Sequence, residues 1–249
     1  MIDQLCAEAI KISKESSMNI DLETPPGILL LMHDIPAEID EEFNRWYPDE
    51  HFSERLALPG FQSVRRYRAV GGQPTYMVVY RCDSIMDFVS PAYRRVLENP
   101  TPRTREILIR FQNVVRAACR ETWRSSNAIG GSMIVVQCKA IEGKENIARD
   151  FVRGKLAESL VRSGGMVSMS LCESDAEITS SSNSDIVRRA MPDHYADWVI
   201  LVEGYDPVRL SLALHQEVLQ CDSQRDGLLL GSLTRYELMC LYEANAETK

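Results

Sequence analysis

The chain alternates between short apolar runs and amphipathic stretches in a fixed order, and that order occurs twice. Gly27-Ile-Leu-Leu-Leu-Met32 is a compact apolar run of strand length. Pro36 then opens a helix whose first turns carry Glu38, Asp40, Glu41 and Glu42, acidic residues suited to the positive end of a helix dipole. Phe43, Trp46, Tyr47 and His51 follow at i, i+3, i+4 and i+8, one stripe of that helix. Pro48 interrupts the stripe and predicts a kink or a second short helix over Asp49 to Leu58. Pro59-Gly60 predicts a turn, Phe61 to Val70 and Thr75 to Arg81 predict strands, and Gly71-Gly72 between them signals a hairpin. A helix capped by Asp83 or Ser84 is expected through about Leu97, and a last strand within Ile109 to Thr122. The order is βαββαβ, a ferredoxin-like unit.

After Ser125-Ser-Asn-Ala-Ile-Gly-Gly131 the order returns. Strands are expected over Ser132 to Lys139, Met166 to Leu171, Asp197 to Gly204 and Ser232 to Tyr242, and helices over Glu142 to Arg162 and Pro207 to Leu219. Phe43-Asn-Arg45 matches Phe151-Val-Arg153, and Tyr76-Met-Val-Val-Tyr80 matches Trp198-Val-Ile-Leu-Val202. That register places Gly154, Lys155 and Ser159 opposite Trp46, Tyr47 and His51. The expected division is an N-terminal arm (1–25), a first ferredoxin-like domain (26–124), a linker (125–131) and a second domain (132–245). The second domain carries a polar insertion near 174–194, a long loop. The fold class is α+β: two tandem units packed sheet to sheet as an intramolecular barrel, because a four-stranded sheet with both helices on one face leaves the other face bare.

Composition narrows the function classes. The formal charge of -8 argues against nucleic acid, which needs a basic footprint. Arg103, Arg105, Arg110 and Arg116 are interleaved with apolar residues and read as a solvated face. No run reaches the length of a membrane span and no secretory leader is evident, so a cytoplasmic protein is expected. Seven dispersed cysteines without CxxC spacing read as buried thiols in a reducing compartment. Four histidines without HxH or HExxH spacing predict no metal site, and the absence of P-loop, GxGxxG and GxSxG motifs predicts no cofactor and no serine hydrolase. Gly71-Gly72 and Gly164-Gly165 read as hairpin glycines.

Trp46-Tyr47, His51, Leu58-Pro-Gly-Phe61 and Arg66-Tyr67, with Ser90-Pro-Ala-Tyr93 and Glu98-Asn-Pro-Thr-Pro102, resemble the dimeric α/β-barrel superfamily, and more closely EthD-like proteins of aromatic and xenobiotic catabolism. The resemblance covers about residues 27 to 120, and the second half by pattern alone. It implies a small-molecule enzyme of lyase, isomerase or monooxygenase type without a cofactor, acting on a hydrophobic or aromatic compound. His51 is the expected general acid/base, supported by Tyr47 or His33, since an imidazole titrates near neutrality. Trp46, Phe61, Tyr67, Tyr76 and Arg66 are the expected substrate contacts, Arg66 through a bidentate grip on an anion. His33-Asp34 at a strand end reads as a solvent-facing pair with one member toward a pocket. His194 and His215 have weaker claims. The competing reading is a non-catalytic ligand-binding or oligomerisation module, with a homodimer left open.

Overall fold

The computed structural model describes residues 24–181 and 192–244. Nine strands form one sheet: β1 (Gly27–Asp34), β2 (Phe61–Ala69), β3 (Tyr76–Cys82), β4 (Gln112–Arg124), β5 (Ser132–Ala140), β6 (Met166–Ser174), β7 (His194–Tyr195), β8 (Trp198–Gly204) and β9 (Leu228–Glu243). The order β1-β3-β2-β9-β5-β8-β6-β4 closes on itself through β1–β4, so eight strands make a closed antiparallel barrel. The two-residue β7 runs parallel to β4 outside the closure. Closure leaves no free edge along the eight strands, which removes the usual aggregation liability of open sheets.

Each half has the ferredoxin-like order, β4-β1-β3-β2 in the first and β9-β5-β8-β6 in the second. The halves join at their edges, by β2–β9 and by β4–β6. The bare faces therefore meet across the lumen of one continuous barrel, rather than as two separate packed sheets. Ile28, Leu30, Met32, Tyr67, Met77, Val79 and Ala117 of the first half fill that lumen with Met133, Val135, Cys172, Val199, Leu201 and Tyr236 of the second. The helices cover the outer face, which has its own apolar layer in each half.

Several expected boundaries shift for local reasons. At Pro48 the helix does not break. Asp40–Trp46 and Phe52–Leu56 are joined by a π-helical turn, Tyr47–His51, the wider winding that accommodates an interruption in the hydrogen-bond ladder. The expected helix after Ser84 is two short pieces, Ile85–Val89 and Pro91–Glu98, and a further helix not expected from the sequence, Pro102–Leu108, follows; Ser84, Ser90 and Thr101 are their side-chain N-caps. The Leu58-Pro-Gly-Phe61 turn requires its glycine: Gly60 has φ 84°, and a Cβ there would sit against the Asp87 carboxylate. Gly164 and Gly165, expected in a hairpin, end the helix Ala157–Ser163 and lead into β6.

The expected loop at 174–194 is partly helical. Ala176–Ser181 returns to the first half, where Ile178 joins its outer core and Thr179 Oγ1 accepts from the Ala118 amide at 3.0 Å. Residues 182–191 of that insertion, most of the expected N-terminal arm and Cys6 lie outside the described residues. Arg116, expected on a solvated face, is buried, whereas Arg103 is half-exposed and ion-paired with Glu42 and Asp49. Cys82, Cys119, Cys138 and Cys172 are buried free thiols. Among the described residues no helix is long and apolar enough to cross a membrane.

Candidate functional site

The first two strands and the intervening helix of each half follow the same spacing along the chain, and that spacing locates the chemistry. β1 and β5 begin at Gly27 and Ser132, β2 and β6 at Phe61 and Met166, and the π-helical turns at Tyr47 and Val152. Each spacing is 105 residues (132 − 27, 166 − 61, 152 − 47). Even the β-bulges correspond, between Phe61 and Ser63 on β2 and between Met166 and Ser168 on β6. His51 is thus matched by Leu156, Tyr47 by Val152 and Arg55 by Leu160, correcting the sequence register that set Ser159 opposite His51. On the strands His33 is matched by Cys138 and Arg66 by Leu171. Strand pairing sets Val64 opposite Tyr80 and Met169 opposite Val202, so Tyr80 is matched by Val202. Six polar or titratable side chains of the first half face five aliphatic residues and a thiol in the second.

The first-half side chains form a close-packed cluster, the candidate reaction chamber, between the outer face of β1, β2 and β3 and the helical run 40–56. Helical spacing brings Phe43, Trp46, Tyr47 and His51 onto its inner side, all buried. His51 packs against the Trp46 ring at 4.1 Å and meets Tyr47 edge-on at 5.4 Å. Tyr80 approaches from β3 with ring centroids 6.5 Å away. The His51 Nδ1 has no hydrogen-bond partner and lies 3.8 Å from Glu54 Oε2, which accepts from Arg55 Nη1 at 2.8 Å. Burial, reinforced by the nearby Arg55 and His33, holds the His51 pKa well below its usual 6.5, so the ring is neutral at pH 7. Burial raises the Glu54 carboxyl, and it raises the Tyr47 and Tyr80 phenols, keeping both protonated. The Tyr80 hydroxyl is buried without a hydrogen-bond partner.

Arg66 is buried on the same face. Its guanidinium lies 4.5 Å from the Tyr47 ring, 4.6 Å from Phe43 and 4.9 Å from Tyr76, and Nη2 donates to Asn44 Oδ1 at 2.8 Å. It is a cation held by aromatic faces, with no carboxylate of the described residues bonded directly to it. His33, expected at a solvent-facing strand end, is fully buried and stacks on Phe111 at 3.8 Å. Asp34 points to the opposite face, as strand alternation requires, accepting from the Thr75 amide and Asn113 Nδ2. Phe61 sits one ring further out, stacked on Tyr93 at 5.6 Å and 6.2 Å from Tyr80.

Tyr67 lies in the lumen cluster, on the opposite face of β2 from Val64 and the His51 cluster. His194 on β7 and His215 are exposed. Arg55 was not foreseen, although its position four residues after His51 on one helical face was a readable signal. A cleft of about 360 Å³ opens beside the chamber, lined by Pro48, Phe52, Ser53, Leu56, Ala57, Tyr242, Glu243 and Ala244. Phe52 connects the two, with its ring 4.9 Å from both Tyr242 and Tyr47.

No family model matches the chain, and no curated protein does. Among solved structures it resembles an anthrone oxidase-like protein (TM-score 0.57, 12% identity, covering 90% of this chain and 95% of the other). It also resembles a candidate monooxygenase of Lactobacillus acidophilus NCFM (0.54, 10%, 89% and 97%) and a chlorite dismutase variant of Candidatus Nitrospira defluvii (0.52, 8%, 88% and 92%). At these identities the likeness is one of fold, the dimeric α/β barrel, and a shared fold does not fix the chemistry.

Proposed function

We propose that the protein is a small-molecule oxidase or monooxygenase working without a cofactor, with the chamber around His51 as its reaction site. The observation that carries this reading is the asymmetry between the halves: a solid core needs no histidine or arginine there, as the matching Leu156 and Leu171 demonstrate. The names of the structural neighbours, an anthrone oxidase-like protein and a monooxygenase, point to the same reaction class. On this reading the two halves are tandem copies of one ferredoxin-like unit, and only the first keeps a polar chamber.

The substrate is a hydrophobic aromatic compound with an acidic O–H or benzylic C–H. The cleft walled by Phe52, Leu56 and Tyr242 receives it, and displacement of Phe52 admits its ring among Trp46, Tyr47 and Tyr76. Neutral His51 takes the proton at Nδ1, and the Glu54 carboxylate steadies the imidazolium that results. The Arg66 guanidinium offsets the negative charge of the substrate anion. That anion passes one electron to dioxygen and the resulting radical pair combines in a C–O bond; His51 returns its proton to the peroxide, and the benzylic hydroperoxide loses water, its remaining C–H and O–O bonds breaking to leave a ketone. Tyr47 and His33 position the ring and the substrate.

Oxygen uptake with anthrones and hydroxynaphthoquinones, compared between wild type and His51→Ala, tests this. Loss of the base is expected to slow turnover by about 10²–10⁴-fold while Trp46 fluorescence quenching shows that ligand still binds. Equal turnover in the variant sinks the assignment. The second reading, a ligand carrier, draws on the tight closure of the chamber around a His51 only 7% exposed; it predicts quenching without any oxygen consumption.

A further inference from the structure

The lumen face of the same strands carries a second concentration of charge, independent of the helix-side chamber. At the end of the barrel where β1 begins, Arg65, Arg81 and Arg124 converge on a cavity of about 180 Å³ that is also lined by Gln62, Ser63, Asn127, Ile129, Leu241 and Glu243. Two buried carboxylates serve these three cations. Glu203 Oε1 accepts from Arg65 Nη1 at 2.7 Å, and Glu121 Oε2 from Arg81 Nη1 at 2.6 Å. Both carboxylates are further committed, Glu203 to the Gly130 amide and Glu121 to Ser170 Oγ.

Arg124 is left over. Its Nη1 and Nη2 stand 3.9 Å from Glu121 and Glu203 respectively, beyond hydrogen-bond distance, and its one close bond is from Nε to the Ser126 carbonyl at 2.6 Å. Three guanidinium charges share two buried carboxylates, which leaves a net positive charge at a mostly buried site that an anion would complete. Glu243 is exposed at the rim, where water screens it. The lumen also holds the Tyr67 hydroxyl, buried and without a hydrogen-bond partner.

We propose that this end of the barrel binds a compact oxyanion, a carboxylate or a phosphate. Guanidinium forks match the geometry of both, and Gln62, Ser63 and Asn127 supply neutral polar groups at the mouth. The cavity falls below the roughly 300–1,000 Å³ of drug-sized pockets, so the occupant is a small anion or the anionic end of a longer molecule that projects into solvent.

Thermal unfolding and calorimetric titration with sodium phosphate and, separately, sodium acetate at constant ionic strength test the proposal. One of the two is expected to raise Tm saturably and to release binding heat, which also tells phosphate from carboxylate. Arg124→Gln is expected to weaken that affinity at least tenfold. Ser63→Asp keeps all three arginines and places a carboxylate in the mouth; it is expected to fold, as judged by circular dichroism, and to lose the response entirely. His51→Ala should titrate like wild type, which separates this site from the proposed reaction chamber. If neither anion acts beyond sodium chloride, or if the response survives Ser63→Asp, the proposal is wrong.

Discussion

Replacing His51 by leucine, the residue that the second half carries at the matching position, sets stability against activity in one measurement. The wild-type imidazole is buried with Nδ1 unpaired. An unsatisfied buried polar atom costs about 1–3 kcal/mol, and an apolar side chain of similar volume removes that cost. At pH 8 His51→Leu is therefore expected to be more stable than wild type by about 1–3 kcal/mol, or roughly 2–4 °C in Tm for each kcal/mol in a chain of this size.

The pH dependence gives a sharper signature. The folded-state pKa of His51 lies well below 6.5 while the unfolded chain titrates near 6.5, so below that pH the unfolded state binds a proton that the native state does not. His51 therefore takes stability away from wild type as pH falls, with a limiting slope of about 1.4 kcal/mol per pH unit. The leucine variant lacks this loss, and its advantage should widen by about 1.4 kcal/mol between pH 8 and pH 5.5. Glu54, whose raised pKa acts in the opposite sense at more acid pH, is present in both proteins and largely cancels. Urea unfolding of both proteins at the two pH values reads the gap, and oxygen uptake reads the accompanying loss of turnover. A variant less stable than wild type at pH 8, or a gap that stays flat to pH 5.5, would refute the picture of a neutral imidazole held ready at an energetic cost.

Four further substitutions have expected outcomes in stability. Gly60→Ala forces a Cβ onto the Asp87 carboxylate at a positive φ and should lower stability by about 1–3 kcal/mol in denaturant titration. Tyr80→Phe removes a buried hydroxyl that has no partner, so stability should hold or rise by up to about 1 kcal/mol; a loss above that would reveal a hydrogen bond to the hydroxyl. Glu203→Gln strips Arg65 of its carboxylate and should destabilise the fold by about 3–5 kcal/mol, whereas Arg45→Ala, on an exposed pair with Glu41, should stay within about 0.5 kcal/mol, both read from urea midpoints.

The element order was legible because each strand is a short apolar run and each helix an amphipathic one. Which face a strand residue serves was not. Both faces of a barrel strand are covered, so the alternation that marks a half-exposed strand is lost: Val64, Arg65, Arg66 and Tyr67 are all buried. The Gln62 bulge then decides the parity, sending Arg66 to the helices and Tyr67 to the lumen, and nothing local to Arg66-Tyr67 announces it. The lumen charges were hidden for a second reason, since Arg65 and Glu203 stand 138 residues apart. Their only trace was a charge such as Glu203 ending an otherwise apolar strand.

Matching the two halves by sequence identity fails for a complementary reason. Matching Phe43 and Arg45 with Phe151 and Arg153 favoured identities and set the helices three residues out of register, since 108 separates those residues while 105 separates the strands and the π-helical turns. The correct spacing changes the character of the asymmetry. Out of register, His51 faces a serine and Tyr47 a lysine, polar for polar, which is what drift on a partly exposed helix produces. In register, His51, Tyr47, Arg55, Arg66 and Tyr80 face Leu156, Val152, Leu160, Leu171 and Val202, and the second core shows that this architecture packs with aliphatic side chains at those five positions. The unpaired His51 Nδ1 and Tyr80 hydroxyl lower stability in the first core, so their retention asks for a role that packing does not supply.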